Sequence, residues 1–207
     1  KSKVSKPKVK ENDSLRYTQI KPWFNAVSKI NNPIISAYLQ GLLLTGARRN
    51  ELAGLRWQDV DFKWKSMTIR DKVDGTRIIP LTPYMEHLIT SLARRNEFVF
   101  SSATAKSGRI EEPRDQHNKA LMIAALPHLT IHGLRRSFAT LSNRVGAPVG
   151  VAMQIMGHKP SGVHEESYVR RELDFLHLWH VQIEQWIITE AGIEIPEANN
   201  TGLRAVN

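Results

Sequence analysis

Two imidazoles, a guanidinium and a phenol fall within the stretch Thr130–Arg171, as His132, Arg135, His158 and Tyr168. Those groups suit phosphoryl transfer. Cations stabilise charge on the non-bridging oxygens, while proton donors and acceptors serve the attacking and leaving atoms. A phenol oxygen can itself attack phosphorus and form a covalent intermediate. The stretch has no cysteine and no evident metal-binding carboxylate cluster, so its own cations are expected to carry the work.

Such groups act only if the chain holds them in place. Leu134, Phe138, Leu141 and Val145 recur at helical spacing, which predicts one helix bearing His132 and Arg135 and ending at Gly146. Pro148 opens a second helix with Val149, Ala152, Ile155 and Met156 inward, and Gly157 ends it with His158 just beyond. A short helix or turn carries Tyr168. Asp174 is read as the cap of a last helix with Phe175, Leu178, Trp179, Ile183, Trp186 and Ile187 on one face.

Earlier in the chain, Thr18 is read as the cap of a helix burying Ile20, Trp23, Phe24 and Val27. Asn32-Pro33 caps and opens another. Its run from Ile34 to Leu44 is apolar nearly all round, so that helix is expected inside the domain. Thr45-Gly46 breaks the chain before a helix holding Glu51, Leu52 and Leu55. Arg48 and Arg49 sit at this junction, so either one is presented inward or both form a solvated pair. Met67-Thr68-Ile69 and Arg77–Leu81 flank Asp74-Gly75, a strong hairpin signal. Lys72 lies near the hairpin tip, either solvated or placed to reach into a bound groove. Residues 83–95 read as a helix, Phe98-Val99-Phe100 as a short strand, 101–116 as loop, and 115–125 as a further helix. The fold class is therefore mainly α with a small antiparallel β-sheet.

The chain has 207 residues, 41% of them hydrophobic, and a net charge of +9. That suggests a polyanionic partner, nucleic acid ahead of an anionic membrane. Apolar runs fall short of the ~20 residues of a membrane span. The absence of cysteine removes disulfides and thiolate zinc sites, and fits a reducing, cytoplasmic setting. Five lysines and no acid occupy the first ten positions. Residues 1–13 are read as a basic linker or tail, 14–190 as the domain, and 191–207 as a C-terminal tail.

Four ordered pieces of the chain together resemble the catalytic domain of the tyrosine recombinase family, the phage integrases in particular. Thr45-Gly46-Ala47-Arg48-Arg49-Asn50-Glu51-Leu52 resembles that family's TGxRxxEL box. Lys72 matches its hairpin lysine, His132-Gly133-Leu134-Arg135 its HxLR box, and Met156-Gly157-His158 its LGH box. Tyr168 then falls where the nucleophile belongs. Met156 stands in place of the usual leucine, and Tyr168 lies ten positions after His158 where many members have nine.

The resemblance implies a site-specific DNA recombinase that cleaves and rejoins double-stranded DNA through a covalent 3′-phosphotyrosine, without metal, ATP or other cofactor. It selects Arg48 over Arg49. Arg48 and Arg135 would clamp the non-bridging oxygens, His158 would add a hydrogen bond, and His132 would help take the tyrosine proton. Lys72 would protonate the leaving 5′-oxygen, and Glu51 would support the site. It also implies a tetramer on DNA, with room for accessory DNA-bending or directionality proteins. Tyr17, Tyr38 and Tyr84 compete as nucleophiles; Tyr38 is read as core and Tyr84 as following a proline in a turn, and neither of these two sits near a His/Arg box. His177 and His180 share a helix face without further metal ligands. A topoisomerase IB-like relaxase and a non-catalytic DNA-binding module are the alternative functions.

Overall fold

The structure, a computed structural model, describes residues 13–71, 75–158 and 171–194. α1 (Tyr17–Val27) buries Ile20, Trp23, Phe24 and Val27. The cap position is Arg16, not Thr18, which lies inside the helix; Gln19 Oε1 reaches back to accept from Arg16 N at 2.8 Å. α2 (Pro33–Thr45) begins as expected, with Asn32 Oδ1 accepting from Ile34 N at 3.0 Å and Ile35 N at 3.4 Å. It runs through the core with Leu39, Leu43 and Leu44 fully buried. Its one long polar side chain, Gln40, is satisfied by Ser36 and by the Tyr84 hydroxyl.

α3 (Arg49–Ala53) is a single short helix that stops before Leu55. β1 (Val60–Asp61), β2 (Ser66–Asp71) and β3 (Gly75–Pro80) then form an antiparallel sheet in that order. Met67 pairs with Ile79, Ile69 with Arg77 and Asp71 with Gly75. β1 is too short for alternation to reveal it in sequence. Phe98-Val99-Phe100 is no regular strand: it is held by single bridges from Arg56 to Phe98 and from Ser101 to Arg109.

α4 (Pro83–Thr90) ends short of residue 95, and α5 (Arg114–Ile123) follows the loop. α6 (Ile131–Ser142) packs on α2, and α7 (Val149–Met156) packs on α6. Two helix faces differ from expectation. In α7, Val149 is 66% exposed and Val151 is buried in its place. In α8 (Leu173–Ala191), Phe175 and Leu178 face solvent, while Leu176, His180, Ile183 and Ile187 face in. Glu172, not Asp174, holds the cap position. Two polar anchors turn α8 this way. His180 Nε2 bonds the Leu44 carbonyl at 2.8 Å, and Glu184 accepts from Thr82 Oγ1, Tyr84 N and Met85 N at the start of α4. An apolar pattern alone passes over both residues. α8 thereby covers α1, β3 and α7.

Candidate active site

At the end of α2 the chain turns at Gly46, whose φ of 59° lies in the left-handed region. The turn delivers Arg48 to α3 and to its partner Glu51. Glu51 Oε2 accepts from Arg48 N and Oε1 from Arg48 Nη1, both at 2.8 Å. Asp71, the last described residue of β2, also accepts from Arg48 Nη1 at 3.1 Å. Arg49 pairs instead with Glu112 at 3.0 Å. Arg48 and Arg49 thus take different carboxylates, and of the two Arg48 joins Glu51. Glu51 is 4% exposed, and a third donor, Arg77 Nη2 at 2.7 Å, helps compensate the buried charge.

Arg135 reaches the same region from α6. Thr130 Oγ1 caps that helix by accepting from Gly133 N, and Asp13 accepts in turn from Thr130 N at 2.9 Å and Thr130 Oγ1 at 2.6 Å. Leu134, Phe138 and Leu141 seat the helix in the core. Arg135 is 4% exposed, and its Nη1 donates to the carbonyls of Gly46 at 2.6 Å and Met156 at 2.8 Å. Its Nη2 is buried without a hydrogen-bond partner among the described residues. Burial, with Arg48 and Arg77 adding to it, pushes the guanidinium down to about 10 against the pull of Glu51, which still leaves it charged at neutral pH. A Cβ on Gly46 would sit 2.6 Å from Phe138 Cδ1, so the glycine is what lets α6 approach this closely.

Gly157 ends α7 at φ 72°, and His158 N donates back to Met153 O at 2.9 Å. The His158 ring is held below the ordinary histidine value by partial burial first, then by the charges of Arg135, Arg48 and His132. His132, one turn ahead of Arg135 on α6, is lowered by partial burial, then by Arg136, Arg135 and Arg48, with Asp13 opposing. Both shifts favour the neutral imidazole, which can accept a proton or donate one hydrogen bond. Arg48, His132 and Arg135 line a groove of about 1150 Å³, whose wall also carries Arg56, Arg70 and Arg109.

Lys72 and Tyr168 lie outside the described residues. The competing tyrosines sit elsewhere. Tyr38 is fully buried and donates to Arg49 O at 2.7 Å; Tyr84 lies within α4 rather than a turn and donates to Gln40. Burial raises both phenols, Tyr84 to about 12. Tyr17 lies on the surface beneath Arg144. His180 is buried and committed to the Leu44 carbonyl.

Several residues at this site carry no motif. Asp71 and Arg77 come from the two strands of the hairpin, and Asp13 from the segment ahead of α1. Gln154 makes a reciprocal pair of bonds with Arg171, accepting from its N at 3.1 Å and donating to its O at 2.9 Å. One signal was available: Met67, Ile69 and Asp71 alternate onto the buried face, and Arg77 pairs with Ile69 on that face.

Residues 14–172 match the phage integrase family. Over 202 residues the chain is 56% identical to the prophage integrase IntF of Escherichia coli, a match covering 94% of this chain and 43% of that protein. The chain thus spans less than half the length of that relative. Among solved structures, the XerH site-specific recombinase in a pre-cleavage complex with its difH substrate superposes with a TM-score of 0.60, at 18% identity, over 91% of this chain and 56% of that one. A lambda integrase tetramer bound to a Holliday junction gives 0.56 at 17% identity, over 79% and 50%. At those identities the likeness is one of fold.

Proposed function

The chain belongs to the phage integrase family, and from that membership we propose that residues 14–190 supply the catalytic unit of a site-specific DNA recombinase. The Tyr168 oxygen attacks the scissile phosphorus as the bond to the 5′-oxygen breaks. A 3′-phosphotyrosine and a free 5′-hydroxyl result, and a second 5′-hydroxyl reverses the step to rejoin the strand. No ATP is needed, because the phosphotyrosine keeps the bond energy.

Each residue has a task in this reaction. Arg48 and Arg135 hold the non-bridging oxygens, for which a planar guanidinium is the matched donor. His158 adds a hydrogen bond to the same phosphate. His132 takes the phenolic proton or orients the group that does, which requires the neutral ring that its surroundings favour. Lys72 returns a proton to the leaving oxygen. Glu51 fixes Arg48. The observation that carries this reading is Arg135, a buried cation held by two carbonyls through one nitrogen while the other has no partner among the described residues. A buried donor left unmade is costly, and a phosphate oxygen would satisfy it.

The DNA partner is double-stranded, and the groove's arginines match its backbone. Assembly is a tetramer on DNA, as in the lambda integrase tetramer bound to a Holliday junction. The test is incubation with a nicked suicide duplex carrying the cognate core site. A covalent adduct mapping to the Tyr168 peptide, and absent from Tyr168→Phe, is expected. Undiminished adduct in Tyr168→Phe would overturn the assignment, and no wild-type adduct would favour a non-catalytic DNA-binding module.

A further inference from the structure

Arg77 ties together three parts of the site that are distant in sequence. It stands on β3, and its aliphatic stem and guanidinium are largely covered, at 16% side-chain exposure. Nη2 donates to Glu51 Oε2 at 2.7 Å, on the same carboxylate that holds Arg48. Nε donates to the Ile155 carbonyl at 3.0 Å, in the last turn of α7. The guanidinium also lies against Gly157: a Cβ there would meet Arg77 Nη1, Cζ and Nε at 2.6–2.8 Å.

The last turn of α7 is closed from every side. The Met153 carbonyl is taken by His158 N, that of Gln154 by Gly157 N, that of Ile155 by Arg77 and that of Met156 by Arg135. Two cations therefore sit at the negative end of a helix whose capping glycine is followed by His158. A second charged contact couples the hairpin to the same place, since Asp71 of β2 also accepts from Arg48.

We infer that Arg77 is a positioning residue for strand cleavage: it locks Glu51 and Arg48 to the α7 terminus that precedes His158, and anchors the β2–β3 hairpin to both. This rests on the cleavage chemistry proposed above. Arg77 does not touch the reacting phosphate; it fixes the groups that do. Its loss acts through their misplacement, and a displacement of about 1 Å in such groups can slow a reaction ~10²-fold.

The experiment compares wild type, Arg77→Met and Arg77→Lys for folding, DNA affinity and the single-turnover rate of adduct formation. Two nicked duplexes are used, one ordinary and one with a methylphosphonate at the scissile position. Methionine keeps an apolar stem without the guanidinium. Lysine keeps the charge but lacks the planar fork that serves the Glu51 and Ile155 bonds from two separate nitrogens. Both variants are expected to bind ordinary DNA within about 3-fold of wild type, and Arg77→Met to cleave it roughly 10–100-fold more slowly. On the methylphosphonate, which lacks one anionic oxygen, the deficit should shrink by about tenfold, because the placement of Arg48 then matters less. Arg77→Lys should fall between, with the same dependence on substrate.

Wild-type rates from either variant on ordinary DNA would overturn the inference. So would an equal deficit on both substrates, which marks a general loss of structure. If neither variant folds, Arg77 is a fold residue and the inference fails. Wild-type protein that forms no adduct overturns the cleavage reading instead.

Discussion

Replacing Gly46 by alanine tests whether the site is assembled by close approach of α6 to the end of α2. Two costs add. The first is conformational: an L-residue at φ 59° gives up roughly 1–2 kcal/mol. The second is steric, because the new Cβ would lie 2.6 Å from Phe138 Cδ1 and 2.8 Å from Met156 Cγ, both in the core. Overpacking of that kind costs typically about 1–3 kcal/mol. Gly146 separates the two, since its φ is 70° but nothing lies within 4 Å of where its Cβ would stand. Gly146→Ala should therefore lose about 1–2 kcal/mol and Gly46→Ala roughly 2–5 kcal/mol in urea unfolding at pH 7. In Gly46→Ala the movement that relieves the overlap also separates Arg135 from the Gly46 carbonyl, so single-turnover cleavage should fall further than stability does. Equal losses for the two variants would mean that Phe138 and Met156 yield freely, and the close-approach argument would be wrong.

Lys72→Ala should cleave ordinary DNA ~10²–10⁴-fold more slowly and recover on a substrate with sulfur at the 5′-bridging position, since a thiolate leaves without a general acid. Arg135→Ala should not recover to the same degree, and equal rescue of both would remove the acid role from Lys72. Cleavage should persist in EDTA, because Arg48, Arg135 and Lys72 supply the positive charge; loss that magnesium restores, with binding and folding intact, would refute this. Stability should also depend on the buried His117, which accepts from Trp23 Nε1 and is lowered by burial from 6.5 to about 4. Its folded value is depressed, so its contribution is complete above pH 6.5 and lost as pH falls towards 4. From pH 7 to 4 the wild type should lose about 3 kcal/mol more than His117→Gln, in which the titration is gone and an acceptor for Trp23 remains. Parallel pH profiles in urea unfolding would contradict that.

The elements that hold the proposed site residues were legible where local sequence also sets local structure. Asn32-Pro33, Gly46 and Gly157 mark helix ends by backbone requirements that act within a few residues, so α2 and α7 followed; α6 stops earlier than expected, at Ser142, and Gly146 closes only the 3₁₀ turn Asn143–Val145 that follows it. The inward face of α8 was missed because His180 and Glu184 take their partners from Leu44 and Thr82–Met85, far away in sequence. Arg77, Asp71 and Asp13 were missed for the same reason: each is a charged residue whose burial makes sense only once its distant partner is known. Arg48 could be preferred to Arg49 only through the resemblance; in three dimensions the two are distinguished by Glu51 and Glu112.

Among the described residues, Arg135 is gripped by the main-chain oxygens of Gly46 and Met156, not by side chains. A carbonyl is the same whatever residue carries it, so this grip constrains backbone path and leaves composition at position 156 open to drift. The methionine found where relatives of this motif use leucine costs the guanidinium nothing, provided the helix still ends at the next glycine. Substitutions around such a centre should therefore divide sharply: exchanges of similar bulk pass unnoticed, whereas a proline or a shift of helix length by one residue silences the site without altering any of its named groups.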